Sequence, residues 1–136
     1  MMTAAELKFP DPPADKPGWL TIAQSVFNQL IERWDPECGG GLRWQIANWH
    51  SGWDYKNTPS NGGMFQLSAR LAKYTGNDTY AQKATETYEW MESAGLIEKD
   101  YTLHDGVDIK KGCNHTDELP WSYNYGILIG GAAYVS

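Results

Sequence analysis

Along the middle of the chain, apolar residues recur with a helical period. From Trp19 onward they fall at Leu20, Ile22, Ala23, Val26, Phe27, Leu30, Ile31 and Trp34. The i, i+3, i+4, i+7 spacing predicts an amphipathic helix over about 18–34, with Pro17 suited to its first turn. The run CGGG, residues 38–41, ends it. One glycine suffices at a helix C-terminus, so three in succession, followed by Leu42-Arg43-Trp44-Gln45, call for another reason. A second helical pattern begins near Ser60 and runs to Tyr74, with Met64, Leu67, Ala69 and Leu71 among the packed positions. TGND, residues 75–78, stops it and starts a third over 79–94, where Tyr80, Ala84, Thr87, Tyr88 and Met91 are spaced by three and four and Gly95 caps the end. Residues 2–8 read as the last turns of a helix, followed by the proline-rich loop 9–17. A final apolar helix begins near Trp121 and is still running at Ser136, with no capping signal.

Two long segments, 38–59 and 96–120, lack helical periodicity, and no strand-type alternation is sustained anywhere. The expected fold class is all-α, with helices alternating with long polar and aromatic loops at a hairpin period of roughly 40–50 residues. Loops of that length in a compact domain usually carry function.

Composition sharpens this picture. Among 136 residues there are seven Trp and eight Tyr but three Phe. Indole and phenol rings have polar tips and favour half-wet sites, so the excess suggests a cleft that stacks flat, hydroxyl-rich ligands. An aromatic core of long helices explains the same composition equally well. The net charge of −6 argues against nucleic acid, whose binders carry basic patches. No apolar run approaches the ~20 residues of a membrane span, and the start MMTAAELKFPDPP lacks the regions of a signal peptide. Two cysteines, Cys38 and Cys113, are too few for a disulfide-rich scaffold or a Cys-only zinc site. A bridge between them, with sequons at Asn77 and Asn114, leans toward a secretory-pathway protein. The missing signal peptide points the other way.

Two constellations could carry chemistry. The first joins CGGGLRWQ to Trp49, Trp53, Asp54, Tyr55, Lys56, Asn57 and Asn61. Trp44 and Trp53 could stack on the apolar faces of sugar rings, while Lys56, Asn57 and Asn61 supply hydrogen bonds to the hydroxyl rims. Alternatively the loop packs on neighbouring helices, its Asn residues satisfy turns, and Asn61 caps a helix. The second constellation is Asp105-Gly106-Val107-Asp108 with Trp121, Tyr123 and Asn124. Two readings are open for its carboxylates: acid and base in one cleft, or a turn around Gly106. His50, His104 and His115 are scattered without metal-ligand spacing, so no metal or other cofactor is expected. Neither a nucleophile elbow nor a phosphate-binding glycine loop is present.

Taken in order, C-G-G-G-L-R-W-Q, Y-K-N-x-x-S-N, A-R-L-A-x-Y-T-G-N, G-L-I, D-G-x-D and W-S-Y-N-Y-G-I-L-I-G-G resemble glycoside hydrolase family 76 over nearly the whole chain. This is the endo-α-1,6-mannanase family, which includes fungal Dfg5/Dcw1-type cell-wall proteins. The resemblance implies an (α/α)6 barrel about three times as long as this chain, of which residues 1–136 form a central part. It implies retaining hydrolysis or transglycosylation of α-1,6-mannan or of a mannose-containing GPI-type glycan, by two carboxylates about 5 Å apart. It further implies a secreted or cell-surface parent, GPI-anchored in fungal relatives.

The family's catalytic pair is two adjacent aspartates just before a stretch that MMTAAE resembles. No Asp-Asp pair occurs in this sequence, so the chain is expected to begin after that motif and to be inactive alone. The alternative is a non-catalytic glycan-binding or scaffold protein. By the match of motifs, Asp108 is the first candidate to bond a mannose hydroxyl, with Asp105, Asn57, Asn61, Trp44, Trp121, Tyr123 and Asn124 lining the cleft. Cys38 and Cys113 fall in motif loops and form a candidate bridge. A partial barrel leaves apolar helix faces bare, so the chain is expected to self-associate.

Overall fold

The computed structural model describes residues 1–114, 117 and 119–135. Among these, the chain is mostly helical, with α1 (Met2–Glu6), α2 (Trp19–Glu32), α3 (Thr58–Thr75), α4 (Asp78–Ser93) and α5 (Ser122–Val135). None of these helices is long and apolar enough to cross a membrane.

The central helix is α3. It starts two residues earlier than the apolar pattern suggests, because Asn57 is its N-cap and accepts a hydrogen bond from Ser60 N at 3.2 Å, with Pro59 in the first turn. It ends at Gly76, whose φ of 69° lies in the left-handed region that a C-terminal stop uses. Asn77 then caps α4, accepting from Thr79 N at 2.9 Å.

Both cores form around α3. On one side Met64 and Leu71 pack with Met2 of α1, Ala23 and Phe27 of α2, and Leu42. On the other, Phe65 and Ala69 meet Ala84, Trp90 and Met91 of α4, Leu128 of α5, and Leu96, Ile97, Leu103 and Val107. Each fully buried large apolar side chain contributes about 1.5–3 kcal/mol.

The segments expected to be irregular contain regular pairing. Residues Tyr55–Asn57 (β1) and Gly106–Asp108 (β2) form a two-stranded antiparallel ribbon, with Tyr55 opposite Asp108, Lys56 opposite Val107 and Asn57 opposite Gly106. Each strand has three residues, too few for an alternating pattern to show in the sequence. Lys56 and Val107, directly opposed, are both fully buried on the inner face. The ribbon sits where α3 begins, and α5 begins beside it. The same end of the helical layer therefore gathers the ribbon, the start of α3 and the start of α5.

Candidate functional site

The three glycines serve a close approach of backbone to indole. Gly39, Gly40 and Gly41 all have positive φ, at 75°, 139° and 91°. A Cβ on Gly41 would overlap the six-membered ring of Trp90, and one on Gly40 would stand 3.0 Å from Trp34 and 3.1 Å from Trp90. With no side chain in the way, the loop lies on these two rings and turns its carbonyls inward. Trp90 Nε1 donates to Cys38 O at 3.0 Å. Lys56 Nζ donates to the carbonyls of Asp35 at 2.9 Å, Glu37 at 2.5 Å and Gly40 at 2.6 Å, and pairs with the Asp35 carboxylate at 2.9 Å. Lys56 is fully buried, so it offers nothing to a ligand. Its place among the sugar-binding candidates is corrected: it closes the loop around itself.

Arg43 completes this buried charge cluster. Its Nε meets Asp35 at 2.9 Å, Nη2 meets Glu37 at 3.1 Å, and Nη1 donates to Trp53 O at 3.1 Å. The guanidinium lies 4.6 Å over the Trp53 ring. Burial alone would raise the Asp35 carboxyl, but hydrogen bonds from Lys56 and Arg43 outweigh it and hold Asp35 below its usual range. Burial draws Lys56 below its usual range, partly offset by Asp35. The disulfide Cys38–Cys113 fastens the loop to the turn that follows β2.

With Lys56 pinned inward, its neighbours Tyr55 and Asn57 fall on the outer face of the ribbon. There they border an open groove of about 380 Å³ lined by Trp44, Tyr55, Asn57, Pro59, Ser60, Asp105 and Tyr123. Tyr55 can cross the ribbon because Gly106 has no side chain; a Cβ there would stand 2.6 Å from the phenol oxygen. Asp105 is the polar centre. Its Oδ2 accepts from Tyr55 OH at 3.2 Å, and its Oδ1 accepts from Tyr123 OH and Asn124 Nδ2, both at 3.1 Å. A carboxylate offers about four lone-pair sites, so the three donors among the described residues leave room for one from a ligand. Burial first, then the Asp105 and Asp117 carboxylates, push the Tyr55 phenol well above its ordinary value. Burial and the bond to Asp105 raise Tyr123 as well. Both phenols therefore remain donors. Trp44 is half exposed and meets Tyr55 edge-on at 6.4 Å.

Of the residues singled out from sequence, Trp44, Asn57, Asp105 and Tyr123 share this groove. Trp121 adjoins it, stacked on Tyr123 at 5.8 Å. Asn124 is fully buried and reaches the groove only through Asp105; its Oδ1 has no partner among the described residues. Asn61 is corrected from cleft lining to scaffold. It is fully buried and its amide bridges Leu42 N at 2.7 Å, Leu42 O at 3.0 Å and Asn57 O at 2.9 Å.

Asp108 shares the outer face with Tyr55 but is not among the residues lining the groove. Its carboxylate accepts from Lys110 N at 2.9 Å and caps the turn Ile109–Lys111. The two aspartates of D-G-V-D thus hold separate posts. Trp53 faces away, into a second groove of about 300 Å³ with Trp34, Arg33, Gln45 and Ile46. Asn77 is exposed, and so is Asn114, whose sequon partners His115 and Thr116 lie outside the described residues. Among the described residues no cluster of His, Cys, Asp and Glu has the makings of a metal site.

Sequence reasoning missed Pro59 and Ser60 as lining groups and the weight of Tyr55. Tyr55 shares the face of the α3 cap because it lies two positions before Asn57 in β1, a strand too short to be read from the sequence.

The chain is 51% identical to the mannan endo-1,6-α-mannosidase DCW1 of Candida glabrata, over 99% of this chain and 31% of that protein. It is also 51% identical to DCW1 of Saccharomyces cerevisiae, over 98% of this chain and 30% of that protein. In structure it matches Dfg5 from Chaetomium thermophilum, crystallised with glucosamine, with a TM-score of 0.95 and 44% identity. That match covers 98% of this chain and 33% of Dfg5. The chain thus spans about a third of the length of these relatives. The profile of glycosyl hydrolase family 76 matches residues 1–136, and the chain belongs to that family.

Proposed function

We propose that this chain supplies part of the glycan cleft of a mannan endo-1,6-α-mannosidase, a retaining hydrolase or transglycosylase on an (α/α)6 barrel. Its ligand is an α-1,6-mannosyl glycan, either mannan or the mannose-containing core of a GPI-type anchor, met at the cell surface. The Asp105 carboxylate carries this reading. It is held by Tyr55, Tyr123 and Asn124 in an open groove beside the half-exposed ring of Trp44. A carboxylate accepts strongly from sugar hydroxyls, and a ring face takes the apolar side of a pyranose. The Cys38–Cys113 bridge supports an oxidising compartment.

The chain's own role is to bind and orient. No Asp-Asp pair occurs in the sequence, and Asp108 spends its carboxylate on a turn. Asp105 holds one hydroxyl of the sugar in place, and Asn57, whose Oδ1 caps α3, borders the same groove. That absence of adjacent aspartates also favours a second reading, a glycan-binding segment with no turnover of its own.

The test is a calorimetric titration of the chain with α-1,6-mannotriose, with reducing-end release followed in parallel. Binding is expected without turnover. Asp105→Asn should weaken it by roughly 10- to 100-fold, the loss of a hydrogen bond to a charged group. Asp108→Asn should leave it unchanged. Wild-type chain that ignores the trisaccharide overturns the reading, and turnover abolished by Asp108→Asn would move the acid chemistry to D-G-V-D.

A further inference from the structure

Trp49 is 80% exposed, more than any other large apolar residue among those described. Loose loops often show such rings, but this loop is braced. His50 N donates to Ala47 O at 3.1 Å, Trp53 N to His50 O at 3.2 Å, and Tyr55 N to Gly52 O at 3.1 Å. Arg43 holds the carbonyl of Trp53, and the Asp54 carboxylate pairs with both Arg43 and Lys110, at 3.5 Å and 2.5 Å. The returning strand of the loop lies on Trp44 itself: a Cβ on Gly52, where φ is 87°, would overlap the benzene part of that indole. Trp49 stands three residues before Gly52, so its Cα is within about 11 Å of the Trp44 stack. The Trp49 ring lies 5.9 Å from that of its neighbour His50, which is exposed as well.

We propose that Trp49 is an outlying stacking platform for further sugars of the glycan whose first contact is the Trp44–Asp105 groove. This rests on the glycan reading above and adds the length of ligand that the site recognises. A braced, solvent-facing indole costs free energy in water, and a pyranose face removes that surface without needing a deep pocket. Gly52 packs the loop that carries Trp49 onto Trp44, a wall of the groove, so the platform is within reach of a polymer bound there. Ile46, also exposed on this loop, borders the second groove instead.

The experiment compares α-1,6-mannotriose with α-1,6-mannohexaose by calorimetry on the wild-type chain and on Trp49→Ala, Trp49→Tyr and Ile46→Ala. Wild type should bind the hexamer about tenfold more tightly than the trimer. Trp49→Ala should remove that gain, Trp49→Tyr should keep part of it, and Ile46→Ala should keep it whole. Trp49→Ala with an undiminished gain overturns the platform, as does a wild type that binds both lengths equally. A gain lost equally in Ile46→Ala overturns it too, by assigning the effect to general loop hydrophobicity. Failure of the underlying glycan reading looks different, because the trimer itself would then go unbound by wild type.

Discussion

Lys56 Nζ stands 2.9 Å from Asp35 Oδ1 while the lysine side chain has no exposure to solvent. Between these two residues the chain folds the whole glycine loop, and three of that segment's carbonyls complete the ammonium's shell. The lysine thus acts as an internal cation around which the loop is wound. Because Tyr55 and Asn57 flank it, the groove's floor depends on that cage.

Lys56→Met should destabilise the chain by about 3–5 kcal/mol, because three inward carbonyls lose their donor and Asp35 is left with Arg43 alone as its charged partner. Urea unfolding followed by tryptophan fluorescence measures it. A loss below about 1 kcal/mol would show that the cage is not needed for the fold.

Among the glycines, position should decide the outcome. Gly41→Ala must place a Cβ in the left-handed region and against Trp90, whereas at Gly39 nothing stands within 4 Å. We expect about 1–2 kcal/mol for the backbone at both sites, with a further 1–3 kcal/mol of overpacking at Gly41 alone. Thermal melts of the two variants, equal within error, would refute the role given to Trp90.

Reducing the Cys38–Cys113 bridge releases a loop with a sequence separation of 75. In the chain-entropy account this lowers stability by about 4 kcal/mol. Denaturation with and without dithiothreitol, alongside a Cys38→Ser, Cys113→Ser double variant, gives the value.

Acid should unfold the chain through its paired carboxylates. The Asp35 carboxyl is held below its ordinary value of 3.8 by Lys56 and Arg43, although burial opposes them. Glu6 is held below 4.5 first by its hydrogen bond to Arg70. A lowered folded value means that the stabilisation is fully present above the ordinary carboxyl range. It is lost as pH falls below about 4, through the folded values. The urea midpoint should therefore hold from about pH 7 to 5 and drop steeply below 4. In Asp35→Asn that acid slope should be shallower.

Apolar surface on α5 and its approach predicts association. Leu119, Ile129 and Val135 are exposed, and Phe65, Tyr88, Ala132 and Val135 border an apolar groove of about 400 Å³. Sedimentation velocity should show species larger than 15.3 kDa that grow with concentration. A single monomeric boundary across concentrations would count against it.

The sequence by itself determined the helices, since apolar spacing and caps such as Asn77 and Gly76 act within a few residues of one another. It also offered the two long segments as candidates for chemistry and carried enough ordered motifs to point to the family. Only the tertiary structure decided what each polar residue in those segments does. Lys56 and Asn61 read as ligand groups but are consumed internally, by carbonyls 16 to 21 residues away for the lysine and by Leu42, 19 residues away, for the asparagine. Asp105 and Asp108 look equivalent in D-G-V-D, yet it is the Asp105 carboxylate that accepts from the hydroxyls of Tyr55, 50 positions earlier in the chain, and Tyr123, 18 positions later, although Asp108 is the one opposite Tyr55 in the ribbon. The ribbon that places them is three residues per strand, and its pairing energy comes from a partner about fifty residues away. Local periodicity carries no trace of such distant partners; burial and hydrogen-bond satisfaction, settled only when the chain closes on itself, assign the roles.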